Sequence, residues 1–248
     1  MYSQRRCAYM RIIGILVDLV YKSLFLKGEE GYRATSSLLK ILLLALMLTY
    51  FLLDPSLYSS INIVSLILVL GITGFSLSWF LSSFTLSSIP GLWYAVTALL
   101  FSYTGLSEPL SYTDALIIYL RTTTFSLILL FFGSIISPVR LANILFRLGF
   151  RKNSVAPILL WRSMPYGLKS MQESLAIGEL KKENVGKRLG PAMASLLEYS
   201  DMVRESNYYR INTLMKHAFP VKSSRKHNLL LIIACVIIGI LLLLKTLT

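Results

Sequence analysis

A run of 53 consecutive residues without Asp, Glu, Lys or Arg, from Pro55 to Ser107, constrains this chain most. A membrane-spanning helix needs about 20 mostly apolar residues, so the run has room for two spans. Two shorter uncharged runs, Thr122–Val139 and Asn228–Leu244, have room for one span each. The block Leu38–Leu53 carries only Lys40, near its start, and adds another. The pattern predicts an all-α, polytopic membrane protein.

We expect about five transmembrane helices, with six as the alternative. Their expected bounds are 38–54, 58–82, 90–106, 115–137 and 228–247. Gly71, Gly74 and the stretch Ser87–Gly91 punctuate the long run, so a broken or re-entrant helix there stays open. The expected organisation is an N-terminal cytoplasmic segment, a four-helix membrane block, a helical cytoplasmic segment and a last span. Their ranges are 1–37, 38–137, 138–227 and 228–248.

The basic residues predict the orientation of these spans. The chain has a net charge of +13, although only 15% of its residues are charged. Residues 1–40 and 138–227 together hold 23 of the 25 Lys and Arg residues. The positive-inside rule therefore places both segments in the cytoplasm and Thr248 outside the cell membrane. A basic excess on so apolar a chain favours a membrane protein over nucleic-acid binding.

Residues 10–26 are apolar but are interrupted by Arg11, Asp18 and Lys22. They lack the unbroken apolar core and the small-residue cleavage site of a signal peptide. An amphipathic helix lying in the membrane interface fits this pattern, with a sixth span as the alternative.

The segment 138–227 is predicted to be helical. An apolar stripe at helical spacing marks its first long helix, formed by Leu160, Met164, Leu168, Met171 and Leu175. Pro165 interrupts the stripe, so we expect one helix to end near Ser163 and another to begin at Pro165. Pro191 is expected to open a further helix that runs to about Arg210.

Two basic residues lie near the ends of these predicted helices, Lys181 and Arg210. One interpretation is that they compensate the helix macrodipole, which is worth a few tenths of a kcal/mol. The other is that they are charged contacts that reach an acidic groove on a partner protein. The spacing alone leaves both interpretations open.

Three motifs in this region are similar to those of a known family. They are SPVRLANILFRLGF (Ser137–Phe150), WRSMP (Trp161–Pro165) and QESLAIGELK (Gln172–Lys181). Together they resemble the transmembrane T component of energy-coupling factor (ECF) transporters, in which a P-x-x-L-A helix and an R-x-x-P step precede two helices that end in Ala-Arg-Gly. The opening of the first span, Ser36–Leu48, also looks like that family.

The resemblance implies a non-catalytic subunit that couples ATP hydrolysis by two ABC-type ATPases to a membrane-embedded, substrate-binding S subunit for vitamin or metal-ion uptake. Its two helix ends would be the coupling contacts, centred on Lys181 and Arg210. The flanking positions are Leu180, Lys182, Tyr209 and Ile211, and the supporting R-x-x-P step falls on Arg162 and Pro165. None of these four flanking residues is the small Ala or Gly of the family pattern.

Catalytic, metal and cofactor sites are not expected. The chain has no G-x-x-x-x-G-K-[ST] phosphate loop, so ATP hydrolysis would occur only in partner subunits. Arg121, in the fourth predicted span, either snorkels to the outer interface or is satisfied by neighbouring carbonyl or hydroxyl groups. The rival function is a membrane scaffold whose basic cytoplasmic helices bind anionic lipid or a soluble partner.

Overall fold

The computed structural model describes residues 14–24, 31–105, 108–150, 153–181, 190–191, 193–195, 197–202, 205 and 224–247. Every regular element in these ranges is helical, so the all-α prediction is confirmed for them. The chain divides into two compact units. The first, Met1–Tyr21 with Ser137–Val221, is called here the basic unit, and the second, Lys22–Ile136 with Lys222–Thr248, the membrane unit.

The helices are as follows: α1 (14–24), α2 (Ser37–Leu53), α3 (Leu57–Gly74), α4 (Leu77–Tyr103), α5 (Tyr112–Ile135), α6 (Pro138–Arg147), α7 (Ala156–Leu180), α8 (described in parts, at 190–191, 193–195, 197–202 and 205) and α9 (Arg225–Leu247). Short 3₁₀ turns precede α2, at Gly31–Ala34, and α7, at Asn153–Val155.

Four helices of the membrane unit are long and apolar enough to cross a membrane: α3, α4, α5 and the Arg225–Lys245 part of α9. Helix α2 is also apolar but has only 17 residues. Aromatic rings pack together in their core, where Trp79 stacks on Phe75 at 4.8 Å and meets Phe131 edge-on at 5.9 Å. These helices support the predicted membrane location.

The predicted division of the long uncharged run, into spans 58–82 and 90–106, is wrong. Helix α3 ends at Gly74 and α4 begins at Leu77, so the break comes earlier than expected. A Cβ at Gly74 would overlap the buried ring of Tyr32, and Ser76 caps α4 by accepting the Trp79 N–H at 3.2 Å. Pro90 lies inside α4, because a membrane helix tolerates proline where its neighbours support it.

Helices α4 and α5 make the most extensive contact in the described part of the chain. The buried small residues of α4 recur every four positions, at Ser83, Ser87, Gly91 and Ala95. Close approach of backbones at small residues is a common way for membrane helices to associate. A Cβ at Gly91 would overlap the Thr123 hydroxyl of α5, so this close contact depends on glycine.

Helices α2 and α9 run in the same direction and are joined at both ends. At their N-terminal ends the Ser36 N–H donates to the Asn228 side-chain oxygen at 3.0 Å. At their C-terminal ends Lys245 Nζ lies 3.5 Å from Asp54 Oδ1. The two helices therefore extend through the same layer of the membrane unit.

Replacing Asp54 with Asn should destabilise the protein at neutral pH by about 1 kcal/mol, as expected for one partly exposed ion pair. Burial raises the pKa of the Asp54 carboxyl group, but hydrogen bonds from Ser56 and the Lys245 ammonium outweigh it and lower the pKa overall. A lowered pKa in the folded state stabilises the protein above the unfolded value, about 3.9, and this stabilisation is lost as the pH falls through the folded value.

Thermal unfolding in detergent across the acidic range would check this. The difference between wild type and Asp54→Asn should shrink below a pH of about 4. A difference that grows on acidification would contradict the assignment.

Candidate coupling site

Helix α6 begins the second segment of the basic unit, Ser137–Val221, and has clear start and stop signals. The Ser137 side chain accepts the Arg140 N–H at 3.1 Å, and Pro138 occupies the first helical position. At its end Gly149 adopts a φ of 92°, and the Phe150 N–H reaches back to the Leu145 carbonyl at 3.0 Å. This is the Schellman arrangement that glycine favours at a helix C-terminus.

The predicted break near Ser163 and Pro165 is wrong. Helix α7 is continuous from Ala156 to Leu180 with Pro165 inside it. An interior proline removes one backbone hydrogen bond and costs about 3 kcal/mol, which packing must offset. Here α6 and the 3₁₀ turn pack on α7. On α7 after the proline, a Cβ at Gly167 would lie 3.4 Å from the ring of Tyr199 in α8.

The contact at Gly167 joins α7 to α8. Burial, and secondarily the neighbouring Tyr166, raise the pKa of the Tyr199 hydroxyl. Tyr199 therefore stays neutral at physiological pH and packs as an uncharged ring against α7. The contact orients the described part of α8 relative to α7.

Lys181 directly follows the last residue of α7. Its N–H donates to the Ile177 carbonyl at 3.1 Å, which closes the helix, and its side chain is exposed. Leu180 beside it is 84% exposed and Ile177 is 53% exposed. Three large apolar side chains of α8 are exposed as well: Met193, Leu197 and Met202. An exposed cation beside exposed apolar groups is suited to binding a protein surface.

The other predicted coupling residues fall into two groups. Lys182, Tyr209, Arg210 and Ile211 lie outside the described residues. Arg162 and Pro165 lie within α7, and Arg162 precedes Lys181 by 19 positions. At about 1.5 Å of rise per residue, roughly 28 Å of helix separates Arg162 from Lys181.

Sequence analysis missed a buried polar cluster in the membrane unit. Arg33 Nε donates to the Ser134 carbonyl at 2.9 Å, and its Nη2 donates to the Leu24 carbonyl. Trp79 Nε1 donates to the Ser23 carbonyl at 2.7 Å. The bonds from Arg33 Nη2 and Trp79 satisfy carbonyl groups at the C-terminal end of α1, and the bond from Arg33 Nε satisfies one near the C-terminal end of α5.

Two cations are buried in or beside this polar cluster. Arg33 is 2% exposed and Lys40 is 4% exposed, and Lys40 Nζ donates to the Arg33 carbonyl at 2.9 Å. In the sequence Lys40 is the single charge within Leu38–Leu53, and Arg33 lies shortly before that block, close to Glu29 and Glu30. The burial of Arg33 follows from contacts with distant segments, which spacing does not encode.

Arg121 is satisfied by a neighbouring helix. Its guanidinium carbon lies 5.0 Å from the centre of the Phe51 ring, and Nη2 donates to the Phe51 carbonyl at 3.4 Å. Of the two interpretations above, a structural anchor on a neighbouring carbonyl fits these contacts.

Within the described ranges, no group of three or more His, Cys, Asp or Glu side chains is placed to hold a metal ion. The candidate site is the end of α7, where an exposed cation stands beside exposed apolar side chains. Comparison with protein-family models, curated proteins and solved structures found no match for this chain.

Proposed function

We propose that this chain is a non-catalytic membrane subunit of an ECF-type importer that couples partner ATPases to a substrate-binding S subunit. The observation that carries the proposal is the exposure of charged and apolar side chains at the end of α7. There Lys181 has no described ion partner and stands beside Leu180, which is 84% exposed. The three motifs that resemble the T component lie in α6 and α7, which form the same unit.

The coupling contact would combine charge with apolar area. The Lys181 ammonium can donate charge-assisted hydrogen bonds to carboxylates on an ATPase, although a lysine pairs less specifically than an arginine. Ile177 and Leu180 would supply apolar area that leaves water on binding. Arg210 would make the equivalent contact with the second ATPase. Uptake of a vitamin or a metal ion would then depend on the S subunit for specificity.

The proposed topology has five spans, with α2 as the fifth. A helix of 17 residues is about 25 Å long, near the lower limit for a span. Because α2 is joined to α9 at both ends, a bilayer that α9 crosses would also enclose α2. Tyr58, Tyr103 and Tyr112 are at least 77% exposed and lie at the helix ends opposite Arg33, where an aromatic belt is expected.

Cysteine labelling tests this topology. In a variant without the native Cys7 and Cys235, a cysteine replacing Tyr112 should react with an impermeant reagent on intact cells. A cysteine replacing Leu148, which lies in the basic unit outside the proposed contact, should react only with a reagent that enters the cytoplasm, because the positive-inside rule places the basic unit there. Both original side chains are exposed, so accessibility is matched. Labelling of both positions from one side would contradict the five-span topology.

Purification from native membranes tests the function itself. A coupling subunit should bring down ATPase chains that carry a G-x-x-x-x-G-K-[ST] loop, together with a small membrane protein as the S subunit. The alternative function is a scaffold that binds anionic lipid or a soluble partner, as the excess of 16 cations over 6 acids in residues 138–227 would also allow. Recovery of lipid or an unrelated partner, without ATPases, would reject the coupling function.

A further inference from the structure

The basic unit contains a groove of about 640 Å³ between α1 and α7. Three residues of α1 form one wall, and six residues of α7 form the other. The α1 wall consists of Val17, Asp18 and Tyr21. On the α7 side, Arg162, Pro165, Tyr166, Leu168, Lys169 and Gln172 line it.

The α7 wall offers two cations to a ligand. Arg162 is exposed and has no hydrogen bond or ion pair within the described part of the chain. Lys169 lies 3.8 Å from Glu173, and both side chains are largely exposed, so that ion pair is weak. The acid on the opposite wall, Asp18, is already engaged within the protein. The groove therefore has guanidinium and ammonium donors available for an anion.

The rest of the groove is apolar and aromatic. Val17 is buried, and Pro165 and Leu168 are half-buried beside it. Tyr21 and Tyr166 are 45% and 65% exposed and carry hydroxyl groups next to apolar ring faces. A ligand that fits must combine an anionic group with an apolar portion.

We infer that this groove binds an anionic phospholipid, with the phosphodiester at Arg162 and Lys169 and the glycerol end of the acyl chains along Val17 and Leu168. An arginine binds phosphate oxygens with two parallel hydrogen bonds. Basic pockets on the cytoplasmic side of membrane proteins recognise lipid headgroups in this way. The excess of 16 cations over 6 acids in residues 138–227 gives the segment a matching charge.

The inference needs the membrane location but not the coupling function, because no ATPase takes part.

Native mass spectrometry of the full chain in detergent tests the inference. The protein is titrated with phosphatidylglycerol and, separately, with phosphatidylcholine, which has no net charge. Wild type should retain phosphatidylglycerol in preference. Arg162→Ala should bind it roughly fivefold more weakly, the usual effect of one cation near an anionic lipid, and Arg162→Lys should recover part of the loss. Lys169→Ala should weaken binding in the same direction.

Arg147→Ala is the matched control, since Arg147 is exposed in the same unit but does not line the groove. Equal affinity of the Arg147, Arg162 and Lys169 variants would overturn the inference. So would displacement of phosphatidylglycerol by inorganic phosphate alone, which would make the site one for a soluble anion. Phosphatidylglycerol retained in a preparation without ATPases would support lipid binding in the groove, whether or not the coupling function holds.

Discussion

Replacing Lys181 or Arg210 with Glu should sharply reduce the ATPase recovered with this chain while leaving the chain folded and inserted. Each reversal would place a carboxylate against the acidic groove of an ATPase. Disrupting one buried interfacial charge pair typically costs about 2–5 kcal/mol. The double variant should lose more than either single variant, because the two residues would contact different ATPase copies. Quantitative pull-down from membranes measures each loss.

Arg147→Glu is the control for this experiment. Arg147 is exposed and lies in the last turn of α6, so its reversal has the same unfavourable effect on a helix macrodipole. That effect is only a few tenths of a kcal/mol. If Lys181 and Arg210 merely compensate helix dipoles, all these variants should recover equal amounts of ATPase. Equal recovery from Arg147→Glu and the double reversal would therefore reject the coupling assignment.

The helical class and the apolar helices could be predicted because membrane insertion of a segment depends on its own composition. A run free of charge must be helical in lipid, since every backbone group needs a partner within the segment. The division of that run could not be predicted. It depends on Tyr32, a residue distant in sequence, whose ring occupies the space beside Gly74. The stretch Ser87–Gly91, which also punctuates the run in sequence, lies within α4 and does not break it.

The candidate site was predictable only in part. The position of Lys181 near the end of a helix was predicted from the apolar stripe that stops at Leu175, and α7 ends at Leu180. The continuity of α7 through Pro165 does not, because it depends on contacts with α6 and α8. The cluster around Arg33 joins residues more than 100 positions apart, as in the bond from Arg33 to Ser134. No pattern of spacing indicates such a pairing.

The contact between α4 and α5 is unusual in having buried hydroxyl groups without hydrogen-bond partners among the described residues. They belong to Ser83 and Ser87 on α4 and to Thr123 on α5. Lipid gives membrane helices no hydrophobic force for association, so close packing carries much of their contact energy. The contact between α4 and α5 is therefore expected to depend on small side chains, which allow the two backbones to approach.

Gly91→Ala should destabilise the membrane unit by about 1–3 kcal/mol, the usual cost of overpacking. The added methyl group would overlap the Thr123 hydroxyl and lie 2.9 Å from the Tyr119 carbonyl oxygen. A backbone oxygen cannot move aside as a flexible side chain can, so the helices must separate. Equilibrium unfolding in mixed detergent and SDS micelles gives the change in free energy.

Gly239→Ala in α9 is the matched control, because a Cβ at Gly239 meets no atom within 4 Å. It should be neutral or stabilising, since alanine favours a helix over glycine by about 1 kcal/mol. The same gain in helix propensity acts at Gly91, so the measured loss there is the cost of the clash minus this gain and understates the clash. A Thr123→Ser change in the Gly91→Ala background should not rescue stability, because serine keeps the oxygen that clashes. Equal stability of the two glycine variants would mean that α4 and α5 are not in close contact at Gly91.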